Sequence, residues 1–230
     1  MKEIKTKSLR DKKKIVNGEI VRERKGLTRT NKPIKLPDNP TWLKQPNLVT
    51  MLSGDLSNLH SRIIISLVEK LQDSISQSIN KVPIEQLSLF KEHKETDQIS
   101  LMIPFKDFEL TSNNYPELKK ALKEMDLIPV EFDTKDPITG GDTWCVPGLF
   151  SAFIPDETYQ RTIKITIKKD VAKILVNVDK GFTKYIKEIA FQTQSKYTVR
   201  MYMLISSWKD KGSFSITLER VKKWLKLENK

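Results

Sequence analysis

The sequence predicts an α+β fold in which helices alternate with antiparallel strands, and three observations carry that prediction. Apolar residues recur at three- and four-residue steps from Leu56 to Ile79, the signature of one long amphipathic helix. Strict alternation marks Gln98 to Phe105 and again the run Ile163, Ile165, Ile167, as half-buried strands require. Between them, "YPELKKALKEM" reads as a helix and is followed by apolar runs split by turn chemistry.

Each element has a local reason. The long helix spans roughly Asp55 to Asn80, with Leu56, Leu59, Ile63, Leu67 and Leu71 as its stripe and Asp55 or Ser57 as its N-cap. His60 lies beside that stripe and reads as structural, and His93 falls in the polar stretch "KEHKETD", which reads as loop. After the Gln98 to Phe105 strand come a short helical candidate from Phe105 to Leu110 and the polar turn "TSNN". Pro116 suits the first turn of the next helix, and Asn113 or Asn114 suits its N-cap. Leu118, Leu122 and Met125 share one face of this helix, while Lys119, Lys120 and Lys123 point elsewhere. "LIPVEF", the loop "DTKDPITGGD" and "TWCVPGLFSAFI" form a hairpin, and "TYQRTIKITIKKD" adds a further strand. Helix, strand, helix-turn-helix and hairpin in that order make a winged-helix module.

From about Phe182 to Thr193 the pattern reads as helical again. In the next helix Tyr197, Met201, Leu204, Ile205 and Trp208 form the expected buried face, and Lys211-Gly212 ends it. Thr217 caps a last helix, with Leu218, Val221, Trp224 and Leu225 inward and Arg220, Lys222, Lys223 and Lys226 outward. The predicted organisation is a basic flexible arm over 1–40, a first winged-helix domain over 41–181, and the opening helices of a second over 182–230.

Charge narrows the partner. The 230 residues carry 41 Lys and Arg against 29 Asp and Glu, a formal net charge of +12 that draws in phosphate polyanions or anionic lipid heads. No apolar run approaches the length of a membrane span, so double-stranded DNA is the expected partner and no membrane is involved. The single cysteine, Cys145, excludes an internal disulfide and a Cys-rich zinc site, and a reducing cytoplasm is the simplest setting. Expected DNA contacts are Asn113, Asn114, Lys119, Lys120 and Lys123 on the reading helix and Lys135 on the wing. Lys196 and the arm residues Lys12, Lys13 and Lys14 join them as phosphate contacts.

The stretch "GFTKYIKEIAFQTQSKYTVRMYMLISSWKDKGSFSITLERVKKWLKL" resembles the replication initiator proteins of theta-replicating, iteron-containing bacterial plasmids. Gly181, Phe182, Tyr185, Ser195, Tyr197, Arg200, Tyr202, Leu204, Ile216 and Leu225 carry the resemblance, which extends over about Asn47 to Lys230. Met203 stands where the family commonly has an acidic residue, which leaves Arg200 open between DNA contact and holding the domain together. Lys81 to Asp97 looks like an insertion. The resemblance implies two winged-helix domains, the second incomplete here, so a fragment of a longer initiator is expected. It also implies binding to direct repeats at a plasmid origin, duplex opening, recruitment of the host helicase and initiator proteins, and a possible homodimer.

No enzyme is visible in the sequence. A nickase needs a closely spaced histidine pair with a tyrosine, and His60 and His93 are far apart. No phosphate-cradling glycine loop occurs, and Asp133, Asp136 and Asp142 read as a solvated turn, so neither cofactor nor metal is expected. The rival readings are a winged-helix repressor or a partition or copy-control factor without origin melting, and a helical dimerisation module whose basic surface is incidental.

Overall fold

The computed structural model describes residues 34–109, 115–125, 148, 150–153, 162–193 and 195–227, together with the backbone of four strands outside those ranges. Two of the four lie near the N-terminus. β1 (Lys12–Val16) and β2 (Glu19–Glu23) pair antiparallel, with Lys12 opposite Glu23 and Val16 opposite Glu19. The flexible arm expected over 1–40 therefore contains a paired ribbon. Its sequence signal is Asn17-Gly18, a favoured two-residue hairpin dipeptide, set between the β-branched pairs Ile15-Val16 and Ile20-Val21.

The remainder is organised around one long helix. β3 (Trp42–Pro46) leads into α1 (Asn47–Thr50) and then α2 (Asn58–Ile79). Ser57 caps α2 by accepting from the His60 N–H, and His60 Nδ1 accepts from the Ser57 N–H in return, a reciprocal capping box. Between Lys81 and Asp97 a 3-10 turn (Ile84–Gln86) and α3 (Ser88–Glu92) place Leu87, Leu89 and Phe90 in the core. The "KEHKETD" loop accordingly starts inside a helix, because Leu87 and Phe90 bury a face that a solvated loop lacks.

β4 (Gln98–Pro104), β7 (Ser151–Phe153) and β8 (Thr162–Lys168) form an antiparallel sheet with β8 in the centre. Its register sets Ile99 opposite Ile167 and Ile103 opposite Ile163, all fully buried against α2 and α5 (Lys169–Val176). α4 (Tyr115–Met125) closes the same core. β5 (Phe132–Lys135) and β6 (Asp142–Cys145) make a separate two-stranded hairpin, so "TWCVPGLFSAFI" serves two sheets rather than one strand.

The C-terminal third departs most from the expectation. Phe182–Ile186 is a strand, β9, and not the start of a helix: it pairs antiparallel with β3, Tyr185 opposite Leu43. The helical pattern belongs to α6 (Lys187–Gln192). Gly181 enters β9 at φ +88°, and a Cβ there would meet the Asn47 amide nitrogen at 2.9 Å, two reasons for glycine at this junction. α7 (Lys196–Trp208) buries Val199, Arg200, Met203 and Leu204, whereas Ile205 is 55% exposed. Its buried face is thus turned from the predicted one, because the apolar residues ring most of this helix and the neighbours choose among them. α8 (Leu218–Trp224) buries Trp224 but leaves Leu218 exposed.

These elements pack back onto the front of the chain. Leu43 and Ile65 share one core cluster with Tyr185, Phe191, Val199 and Met203. Leu36–Lys230 is one compact unit, and the boundary predicted at 181/182 is crossed by a strand pair and a shared core.

Candidate nucleic-acid interface

The sequence predicts a reading helix presented by a helix-turn-helix. α4 supplies the helix. Leu118, Ala121, Leu122 and Met125 are buried at i, i+3, i+4, i+7 spacing and face the core. Lys119, Lys120 and Lys123 are all exposed and fall within roughly 100° of one another around the axis, opposite that stripe. Lys120 reaches Glu124 at 3.7 Å, an exposed i,i+4 pair that salt and water screen heavily. The three lysines share α4 with two glutamates, Glu117 and Glu124, so its outer face is only mildly cationic.

The first helix of the predicted motif is a single 3-10 turn, Phe105–Phe108, held rigidly to α2. The Ser66 hydroxyl donates to the Asp107 carbonyl at 3.0 Å, Lys70 pairs with the Asp107 carboxylate at 2.8 Å, and Arg62 donates to the Glu109 carbonyl at 3.4 Å. Glu109 turns the chain at φ +50°. Phe105 then stacks on Tyr115 with ring centroids 5.3 Å apart, which fixes the start of α4 against the turn. At the other end His60 Nε2 faces Glu124 at 3.5 Å. Burial holds the His60 imidazole below its ordinary range, partly offset by Glu124.

The remaining predicted contacts distribute differently. Asn113 and Asn114 lie outside the described residues. Lys135 is the last residue of β5, with Asp142 opposite it across the hairpin. Lys12, Lys13 and Lys14 all lie in β1. Lys196 is tied to Asp55 in a short ion pair and sits 5.3 Å over the Tyr197 ring, and that bond raises its pKa. This ties the α7 N-terminus to the segment before α2.

Arg200, left open in the sequence, is buried. Its guanidinium donates to the carbonyls of Leu52 at 2.7 Å, Gly54 at 3.0 Å and Trp224 at 3.0 Å, and lies 4.4 Å over the Trp224 ring. It holds the domain together. Met203, in place of the acid, is buried beside Gln45, whose amide approaches its sulfur at 3.9 Å.

Sequence reasoning missed a second basic surface, one that combines Trp42, Lys184, Trp208, Lys209, Lys211 and Phe214. Its signal was the alternation Trp42, Lys44 on β3 and Phe182, Lys184 on β9, which remained hidden while β9 read as helix. Among the described residues, no three metal-ligating side chains converge, and no helix is long and apolar enough to cross a membrane.

A family model described as Initiator Replication protein, WH1, matches residues 42–206. The match takes in α2, the β4–β8–β7 sheet and α4, and continues past residue 181 through β9, α6 and most of α7. No curated protein matches the chain.

Proposed function

The chain belongs to the plasmid replication initiator family, with a WH1 winged-helix domain over 42–206, and on that premise we propose that it binds duplex DNA at repeated sites in a plasmid origin. The observation that carries the contact is α4, an exposed helix whose three lysines share one side and whose opposite stripe anchors it. Such a helix fits a major groove, its lysines meeting phosphates and its N-terminal residues nearest the base edges. The β5–β6 hairpin is the natural wing, with Lys135 at its tip end. Bound in tandem on direct repeats, the protein then helps to open the adjacent duplex and recruits the host helicase and initiator proteins. It acts in the cytoplasm without catalytic chemistry of its own and pairs with a second copy in some of its states.

Lys119→Ala, Lys120→Ala and Lys123→Ala together test the contact. Affinity for any duplex should fall, and the slope of log K against log salt should become shallower by about 0.9 for each phosphate that is no longer neutralised. Unchanged binding removes α4 from the interface. Permanganate reactivity at an AT-rich stretch beside direct repeats separates an initiator from a repressor that binds without melting.

A further inference from the structure

The second basic surface has a composition that duplex binding does not require. β3 and β9 form a two-stranded ribbon whose inner residues Leu43, Gln45, Thr183 and Tyr185 are buried. The outer residues alternate aromatic and cationic: Trp42 and Lys44 on one strand, Phe182 and Lys184 on the other, with Lys44 directly opposite Lys184. The end of α7 and the 3-10 turn Lys209–Lys211 extend this face. Lys184 and Lys209 place their ammonium groups 4.8 and 5.1 Å from the Trp42 ring, and Lys211 lies 4.5 Å from the Trp208 ring. Trp208 stacks on Phe214 at 5.2 Å. Trp42 is 46% exposed, Phe182 39% and Trp208 36%, so aromatic surface and lysines meet water together on this side of the protein.

Two like charges set across a ribbon repel, and exposed indoles forgo burial. Both costs are met by a ligand that is itself anionic and flat. Ammonium–indole contacts at exposed sites are weak and exchange readily. A nucleobase can take the ring face while the displaced ammonium moves to the adjoining phosphate, the combination by which single strands are held without regard to sequence. The bases of an intact duplex are already stacked and do not offer their faces. Asp210 is the acid within the turn, and the nearby Glu188 is occupied as acceptor for the Thr41 N–H.

The placement matters as much as the composition. α4 meets α2 at His60, through Glu124, whereas the ribbon and α6 meet α2 at Ile65, Glu69 and Gln72. At ~100° per residue these two sets lie roughly 120–180° apart around α2, so the aromatic face and α4 flank the helix on opposite sides. We infer that the Trp42/Lys184/Trp208/Lys209 face is a stacking platform for single-stranded DNA, usable while α4 occupies a duplex. The platform rests on the proposed origin-binding function only for the source of the strand, which origin opening supplies.

Fluorescence anisotropy with the full chain, a mixed-sequence single-stranded 20-mer and the corresponding duplex tests it. Wild-type protein should bind the single strand and lose part of its tryptophan emission. Trp42→Ala with Trp208→Ala should weaken single-strand binding by roughly tenfold or more per platform residue while leaving duplex affinity within twofold. Trp42→Phe with Trp208→Phe should retain most of it. Lys184→Ala, Lys209→Ala and Lys211→Ala should make the salt dependence shallower by about 0.7 for each phosphate released from its lysine. Unchanged single-strand affinity in both the alanine-tryptophan and lysine variants overturns the platform. So does equal binding of poly-glutamate with the same loss in the tryptophan variant, which assigns the face to an acidic protein. Loss of duplex binding in the α4 lysine variant with single-strand binding intact leaves the platform standing. Duplex binding without any single-strand binding removes the platform and leaves the initiator function intact.

Discussion

Arg200 donates to three main-chain carbonyls from two distant segments, Leu52 and Gly54 ahead of α2 and Trp224 at the end of α8. Burial pulls its guanidinium down to about 10, so it remains a cation at neutral pH, and the carbonyl dipoles and the Trp224 face stand in for lost water. Removing the side chain strands three buried acceptors at once. Arg200→Ala should therefore cost about 3 kcal/mol or more, since hydrogen bonds to a charged group are worth ~1.5–3 kcal/mol each and are not fully additive. Urea unfolding followed by tryptophan emission reads this directly. Arg200→Lys should recover little, because one ammonium cannot span the fork of three acceptors. Holding the domain together was one of the two roles the sequence left open for Arg200, but its carbonyl partners were not legible. Spacing marks apolar faces, but a main-chain carbonyl is contributed by every residue and leaves no pattern. By contrast the Ser57 cap, the structural placing of His60, and the outward lysines of α4 were legible, because each follows from residue type at a fixed helical offset.

At the scale of the element, α2 shows how local signals and long-range pairing divide the work. Its stripe and its cap are written in consecutive residues, so its position was predictable to within a few residues. β9 was not: "FTKYI" lacks a strict apolar–polar alternation and runs straight into a helical pattern, and its partner strand begins at residue 42. A strand of that length is defined by what pairs with it. The α2 cap also yields a pH dependence. His60 Nδ1 accepts from the Ser57 N–H, so the neutral ring carries its proton on Nε2, toward Glu124. Charging the ring puts a proton on Nδ1 and cancels the cap. The folded pKa lies below the ordinary value of 6.5, so the unfolded chain takes up the proton first. Stability should then decline as pH falls below about 6.5 toward the folded pKa. His60→Gln keeps a capping-box acceptor without a titrating ring, and should flatten that decline in urea midpoints measured between pH 5 and 7.

At the scale of the whole Leu36–Lys230 unit, the decisive contacts join residues 42–65 to residues 182–203. The strand Trp42–Pro46 has β9 as its partner, and the Leu43–Ile65 cluster is completed by Tyr185, Phe191, Val199 and Met203. A buried polar chain runs through the same interface: the Tyr185 hydroxyl donates to Gln45, Gln45 donates to Thr50, and Thr50 donates to Thr183. Cutting at residue 181 would take Tyr185 from Gln45 and Thr183 from Thr50 and expose Leu43 and Ile65, while saving nothing in chain entropy already spent on α2. A division into separate domains at that point makes the opposite demand, that each piece bury its own core. The two differ in a measurable way. Fluorescence and far-UV circular dichroism of the full chain should give coincident urea transitions for the unit that includes α2 and α7, as a single cooperative core requires. A chain ending at residue 181 should show no cooperative transition, or one shifted to much lower urea. An unchanged midpoint in the shortened chain would mean that β9 and α7 merely rest on a complete domain.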